Sequence, residues 1–376
     1  MPESSIPLVA DPQELKDLLS VLRDSLAEWL LQEEREMLRT LEVVRILRRP
    51  YSSVVFLRAV TQKGNRQLVA KTIALHPENR GITDRANQAV VEYEILRALW
   101  PRFSAVERCG VPRPLAVLPE AQTYVMEYVE GRLLSDELRH ARRLSSRAGF
   151  NRLCDSYYEC GRWLRLFQGF TGSRRVTPDA LDGILERCAV RLRAISEAKD
   201  SRWPSSLSEE VTAFLAEQRA ALAGEEILVA GRHGDFGPWN VLAGPDGITV
   251  IDFLGYEEEP VALDILSMLM VLENERRCLS ASPRRISVLE HRFLEGFGTL
   301  PQVQRPVYLI CETLLRISSI WGCISRPVAG IRRRIENYAR VKANGRWLQK
   351  LGRNRALWPE DSPSQVSATF AHERRF

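Results

Sequence analysis

The side chains with the clearest chemical purpose fall in one short stretch of the chain. Arg232-His233-Gly234-Asp235-Phe236-Gly237-Pro238-Trp239-Asn240 leads into Val241-Leu242-Ala243, then Gly244-Pro245-Asp246-Gly247, then Ile248-Thr249-Val250-Ile251-Asp252-Phe253. Two apolar runs about a Gly-Pro-Asp-Gly turn predict a β-hairpin. A turn centred near residue 246 pairs Asn240 with Ile251 or Asp252, so an amide oxygen and a carboxylate come together at the hairpin's open end. Such hard oxygen ligands suit Mg2+, which keeps several waters and takes phosphate oxygens from a nucleotide. Asp235 enters the same end on the preceding loop, where its carboxylate could accept or orient the proton of an attacking hydroxyl. Taken singly, each of these residues is an ordinary turn former beside glycine; only their joint spacing argues for chemistry.

The pattern H-G-D-x-x-x-x-N followed by I-D-F resembles the aminoglycoside phosphotransferase and choline kinase group of protein-kinase-like enzymes. The resemblance implies a strand lysine that holds the α and β phosphates of ATP or GTP and a helix glutamate that holds the lysine. Val69-Ala70-Lys71 meets the first requirement, and strand alternation puts Val69, beside the adenine, on the same face as Lys71. Glu92, followed by Leu96 and Leu99, meets the second, whereas Glu94 points to a different helix face. The resemblance further implies that Thr123–Val129 is a hinge strand, the Glu127 carbonyl and Val129 amide binding the base. It assigns Pro50-Tyr51-Ser52-Ser53 as the loop over the phosphates, with hydroxyls and amides in place of the G-x-G-x-x-G of protein kinases. Asp264, in Ala262-Leu263-Asp264-Ile265, matches an aspartate that braces the catalytic loop, and His233 becomes a hydrogen-bonding element of that loop rather than a base. The segment from Asp252 to Asp264 is too short for an activation segment, and no A-P-E follows, which argues against a folded protein as substrate. Glu257, Glu258 and Glu259 could line a pocket for a cation; a solvated acidic loop is the preferred reading and no role is assigned to them. The resemblance runs from about Arg45 to Leu272.

These groups need elements to position them. Leu15, Leu18, Leu19, Leu22, Leu26 and Trp29 recur at helical spacing behind an Asp11/Glu14 capping box, predicting an N-terminal amphipathic helix. Tyr51–Val60 and Gln67–Ile73 predict strands about a Gly64-Asn65 turn, and a helix capped by Thr83 or Asp84 carries Glu92, Leu96 and Leu99 until Pro101 stops it. Leu115–Leu118 and Thr123–Val129 predict two more strands. Beyond residue 130 the pattern turns helical: Asn151–Phe170, Leu181–Glu197, Leu207–Leu222, Val261–Leu272, Ser287–Phe297, Pro306–Ile324 and Ile331–Leu351, interrupted by Arg232–Tyr256. The expected architecture is an α+β, protein-kinase-like two-lobed fold with a small antiparallel-sheet N-lobe and a larger, mainly helical C-lobe. Its parts are an N-terminal helical extension over residues 1–40, an N-lobe over 41–130, a C-lobe over 131–356 and a mobile tail over 357–376.

Seven scattered cysteines with no C-x-x-C pair point to a reduced compartment and no structural zinc, and the acidic N-terminus lacks a signal core, so a cytoplasmic location is expected. The apolar run Val307–Ile324 contains Glu312 and Arg316 and predicts a core helix rather than a membrane span. A net charge of +5 conceals an asymmetry: residues 1–40 hold nine acids and four bases, whereas Arg326–Arg355 holds ten bases and Glu336 alone. That basic segment is a solvated helix face or a contact for an anionic surface; nucleic acid ranks last as a partner, because few aromatics accompany the charge. The expected function is transfer of the γ-phosphate of Mg2+-bound ATP or GTP to a hydroxyl of a small molecule, with a sugar or glycan preferred over polycationic acceptors. The rival is a pseudokinase scaffold that binds nucleotide and partners without turnover.

Overall fold

Leucines at helical spacing form one face of helix α1 (Pro12–Glu33), and Leu22 and Leu26 of that face are fully buried against a sheet. The computed structural model describes residues 12–49, 52–73, 87–144, 146–198, 203–278, 282–325 and 330–351. The chain divides into two units, residues 1–133 with 240–254 and residues 134–239 with 255–376.

In the first unit, α1 is followed by β1 (Leu38–Arg49), β2 (Ser52–Thr61), β3 (Asn65–Ile73), α2 (Gln88–Phe103), β4 (Arg108–Gly110), β5 (Pro114–Leu118), β6 (Thr123–Glu127) and β7 (Arg132–Leu133). Five of these strands form an antiparallel sheet in the order β1-β2-β3-β6-β5. Val55 and Leu57 of β2 pair with Ala70 and Leu68 of β3, and all four join Leu22 and Leu26 in the core. Alternation therefore turns Val69 and Lys71 to the opposite face.

Strand β1 is absent from the sequence reading. Register shifts at Leu38/Thr40 and Val43/Arg45 insert extra residues, so the period of two that marks a strand is interrupted twice. Helix α2 also differs: Pro101 lies inside it and does not stop it. A proline in the last turn sacrifices one backbone bond, and the helix continues to Phe103, with the Ser104 amide bonding the Trp100 carbonyl at 2.8 Å. Asp11, Thr83, Asp84 and the expected tail lie outside the described residues.

The second unit carries α3 (Leu134–Leu144), α4 (Arg147–Thr171), β8 (Ser173–Val176), α5 (Asp182–Glu197), α6 (Ser205–Ala220) and β9 (Ile227–Arg232). Next in the chain, β10 (Val241–Gly244) and β11 (Gly247–Val250) return to the first unit, in a four-stranded sheet ordered β4-β11-β10-β7. The second unit resumes with β12 (Glu257–Pro260), α7 (Ala262–Arg276), α8 (Pro283–Phe297), α9 (Arg305–Ser325) and α10 (Ile331–Lys350). Strands β12, β9 and β8 make a small antiparallel sheet among these helices. Glu257–Glu259 is thus a strand and not a loop, and the predicted interruption of the helical run begins earlier, at Ile227.

Helix α9 is long and apolar enough to cross a membrane by length and composition, and much of its apolar window is buried inside the unit. Its interior charges, Glu312 and Arg316, are buried and paired: Arg316 donates to Glu312 Oε1 and Asn344 Oδ1, both at 2.9 Å, and to Glu273 Oε2 at 3.0 Å. A paired cation inside a helical layer is what the core-helix reading requires. All seven cysteines are free thiols.

Candidate active site

Within the first unit, β3 and α2 bring a cation and an anion together out of water. Lys71 Nζ donates 2.9 Å hydrogen bonds to both Glu92 oxygens and to Asp252 Oδ1. Burial by itself would depress the Lys71 ammonium; the charges of Glu92 and then Asp252 outweigh it and raise its pKa above the ordinary lysine value. The Tyr124 hydroxyl also bonds Glu92, and burial followed by the Glu92 charge holds that phenol well above its usual pKa. Glu94 is solvent-facing and binds Arg97, as its helix position requires.

Glu92 has a second task. Its Oε1 accepts from the Phe253 amide at 2.8 Å, and Gln88, one turn earlier on α2, donates to the Leu254 carbonyl at 3.0 Å. Asp252, immediately before these two residues, sits at φ 72, a left-handed conformation uncommon for any residue with a side chain. The bend is held from one side by Lys71 and from the other by α2, so the carboxylate is fixed at a strained position, a feature typical of functional sites.

Asn240 ends a short 3-10 turn, Pro238–Asn240, and precedes β10. The register Val241↔Val250 through Gly244↔Gly247 continues to Asn240 opposite Ile251, whose amide bonds the Asn240 carbonyl at 3.0 Å. The two-residue turn needs Gly247 at φ 124, where a Cβ would lie 2.2 Å from the Arg108 carbonyl oxygen. Asn240 and Asp252 thus occupy the open end of the hairpin, as the turn spacing predicts. Among the described residues no cluster of three or more His, Cys, Asp or Glu side chains could hold a metal alone. A carboxylate and an amide oxygen are hard donors of the type Mg2+ accepts alongside water.

In the second unit, the loop after β9 carries Asp235. Gly234 stands at φ 91, with the Gly255 carbonyl oxygen 2.0 Å from where a Cβ would be, so only glycine fits. His233 is fully buried, edge-on to Trp163 and Phe236; its ring Nδ1 lies 3.4 Å from the Asp235 amide, and its own amide donates to Asp264 Oδ2 at 2.7 Å. That is the bracing arrangement expected of Asp264, and it makes His233 a shape-determining group. Burial pushes the Asp264 carboxyl up to about 6, against the opposing pull of Arg232 and the His233 and Gly234 amides. Asp235 itself is exposed, and its Oδ2 accepts from Trp239 Nε1 at 2.9 Å.

Sequence reasoning overlooked the charged support beneath this loop. Arg232 donates to the Gly234 carbonyl at 3.1 Å and to Glu259, and Glu259 also binds Arg187 from α5. Three consecutive glutamates carry no sequence signal of which one is buried; in β12 it is Glu259, while its neighbour Glu258 binds the exposed Arg174. Trp239 and the Phe253 amide left no sequence signal, because each acts through orientation alone.

Ser52 and Ser53 depart from expectation. Both belong to β2, paired with β1 and β3, rather than to a loop, and Pro50 and Tyr51 lie outside the described residues. Alternation places Ser53 on the face of Val55 and Leu57, away from Lys71. Glu127 closes β6 with its carboxylate on Arg66 at 2.6 Å and Arg113 at 3.6 Å, and Val129 follows beyond the strand.

The model of the phosphotransferase enzyme family (APH) matches residues 43–286. No curated protein matches the chain. A candidate aminoglycoside phosphotransferase from Ralstonia eutropha JMP134 is 14% identical, with a TM-score of 0.56 over 87% of this chain and 98% of that one. A thermostable mutant of aminoglycoside phosphotransferase APH(4)-Ia, in ternary complex with ADP and hygromycin B, is 12% identical, with a TM-score of 0.52 over 88% of this chain and all of that one, 100%. At these identities the likeness establishes the kinase-like α+β fold, and the family model, which spans most of the chain, establishes the lineage: the chain belongs to the phosphotransferase enzyme family.

Proposed function

We propose that this protein transfers the γ-phosphate of ATP or GTP to a hydroxyl of a small molecule, with a sugar or glycan as the favoured acceptor class. The observation that carries the reading is the Lys71 ammonium, buried and shared between Glu92 and Asp252. Held in that way it can contact nucleotide phosphates without the entropy cost of ordering a free lysine. Asn240 and Asp252 would hold Mg2+, which supplies neutralisation of the phosphate charge when bound. Val69, on the Lys71 face of β3, is assigned to the base, and the backbone of Glu127 and Val129 to its hydrogen-bonding edge. Ser52, on the Lys71 face of β2, is the serine assigned to the phosphates, and Ser53, on the opposite face, is given no contact with them.

Asp235 is assigned as the group that orients the acceptor hydroxyl. The acceptor oxygen forms its bond to the γ-phosphorus as the bond to the β–γ bridging oxygen breaks. The nucleoside diphosphate leaves, and the hydroxyl proton passes to the Asp235 carboxylate. The Trp239 indole, donating to Oδ2 at 2.9 Å, orients that carboxylate. A sugar is preferred because the basic C-terminal third disfavours polycationic acceptors. A cytoplasmic site of action belongs to the same proposal, in keeping with seven free thiols.

The test is a turnover screen with Mg2+-ATP and Mg2+-GTP against sugars, amino sugars, amino alcohols and nucleosides, with Asp235→Asn and Lys71→Ala as controls. Phosphorylated product that disappears in both controls is expected. Failure of the wild-type chain to bind nucleotide in the presence of Mg2+ would overturn the reading, and binding without turnover across the screen would favour the scaffold alternative.

A further inference from the structure

Helix α10 is unusual in what it leaves in water. At about 100° per residue, Asn344, Trp347 and Leu348 point one way and are buried, and Ile331, Ile335, Tyr338 and Lys342 point the opposite way. Ile331 is 77% exposed, Ile335 47% and Tyr338 66%, an apolar row at successive turns of one face. The Lys342 ammonium lies 5.8 Å from the Tyr338 ring centroid, and exposed Arg334, Arg346 and Lys350 border the row. The helix as a whole carries seven bases against Glu336 alone.

A protruding apolar row inside a basic border has a specific use. Isolated isoleucines on a surface need no explanation, but three apolar groups aligned opposite a helix's buried face, amid a strong excess of one charge, match the chemistry of the headgroup boundary of a bilayer. We propose that the outer face of α10 docks on an anionic lipid surface, Ile331, Ile335 and Tyr338 entering the headgroup layer and Arg334, Lys342, Arg346 and Lys350 meeting lipid phosphates and carboxylates. Charge selects this occupant over a second copy of the chain, because two such faces would oppose base to base. The isoleucines select it over nucleic acid, since they can neither pair with a phosphate nor stack on a base. The proposal stands apart from the catalytic reading, because none of these residues belongs to the candidate active site.

The experiment is co-sedimentation of the full chain with vesicles of phosphatidylcholine alone or with 30% phosphatidylserine by design (about a third anionic lipid, in the range where surface potential is strong), at low and high salt. Two double variants are compared, Ile331→Ser/Ile335→Ser and Lys342→Gln/Arg346→Gln, with thermal melting to confirm that each is folded. Binding only to the anionic vesicles, weakened by salt, is expected. Each basic side chain contributes about fivefold, so the basic variant should bind about 25-fold more weakly. The isoleucine variant should lose about tenfold or more. Equal affinity for neutral and anionic vesicles, absence of vesicle binding, or unchanged binding by either variant overturns the proposal. So does a dimer in light scattering that the isoleucine variant dissolves, which would make the occupant a second copy.

Discussion

Replacing Glu92 by Gln and Asp252 by Asn should separate two roles that the shared ammonium of Lys71 combines. Lys71 makes three 2.9 Å contacts, two of them to Glu92, which is 1% exposed, and one to Asp252, whose side chain is 32% exposed. Orphaning a buried charge costs about 3–5 kcal/mol. Glu92→Gln does not reach that limit, because Asp252 still faces the ammonium and the amide oxygen can still accept from the Phe253 N–H. The loss is that of charge-assisted hydrogen bonds, about 2–3 kcal/mol. Asp252→Asn leaves Lys71 its bidentate partner, and the carboxylate removed is partly solvated, so about 1 kcal/mol or less is expected. Nucleotide affinity should show the reverse ranking in its dependence on metal. Asp252→Asn should abolish the gain in affinity that Mg2+ confers, whereas Glu92→Gln should retain it in weaker form, since Asp252 then serves both Lys71 and the metal. Urea unfolding at pH 7, paired with titration of a fluorescent nucleotide with and without Mg2+, measures both quantities. Equal destabilisation by the two variants, or a wild-type nucleotide affinity indifferent to Mg2+, would refute the assignment of Glu92 as the anchor and Asp252 as the metal ligand.

Asp235→Asn should lower kcat by about 10²–10⁴ with nucleotide affinity unchanged, measured once the turnover screen identifies an acceptor. Gly234→Ala adds a Cβ 2.0 Å from the Gly255 carbonyl oxygen at a φ of 91, so stability should fall by more than about 2 kcal/mol in chemical unfolding. Arg316→Ala leaves Glu312, at 0% exposure, without its cation and should cost about 3–5 kcal/mol. Arg316→Lys should recover less than half, because an ammonium cannot span Glu312, Asn344 and Glu273 together. Burial pushes the Glu290 carboxyl up to about 7 from 4.5 in spite of Arg276, so ionising it opposes folding. Stability is then greatest below pH 4.5 for this group and declines as pH rises to about 7, by ~3 kcal/mol in the limit. Glu290→Gln should flatten that slope in urea midpoints measured between about pH 4 and 8.

Much of this molecule is legible without coordinates because its signals are local. The Gly-Pro-Asp-Gly turn sets the pairing that puts Asn240 opposite Ile251, since two-residue hairpin turns dictate register. Alternation in Val69-Ala70-Lys71 and helical spacing from Glu92 to Leu99 likewise settle which faces Lys71 and Glu92 occupy. Tertiary structure decided whatever depends on neighbours distant in the chain. Strand β1 escapes notice because two bulges erase its period, and only pairing with β2 reveals it. Ser52 and Ser53 resemble loop residues by type, yet ladder bonds on both sides make them strand. The left-handed turn at Asp252, the Phe253 amide on Glu92, and the Arg232–Glu259–Arg187 network each require groups from separate elements to satisfy one another away from water. A residue's type states what it could bond; burial, which removes water as the alternative partner, decides which bond it must make.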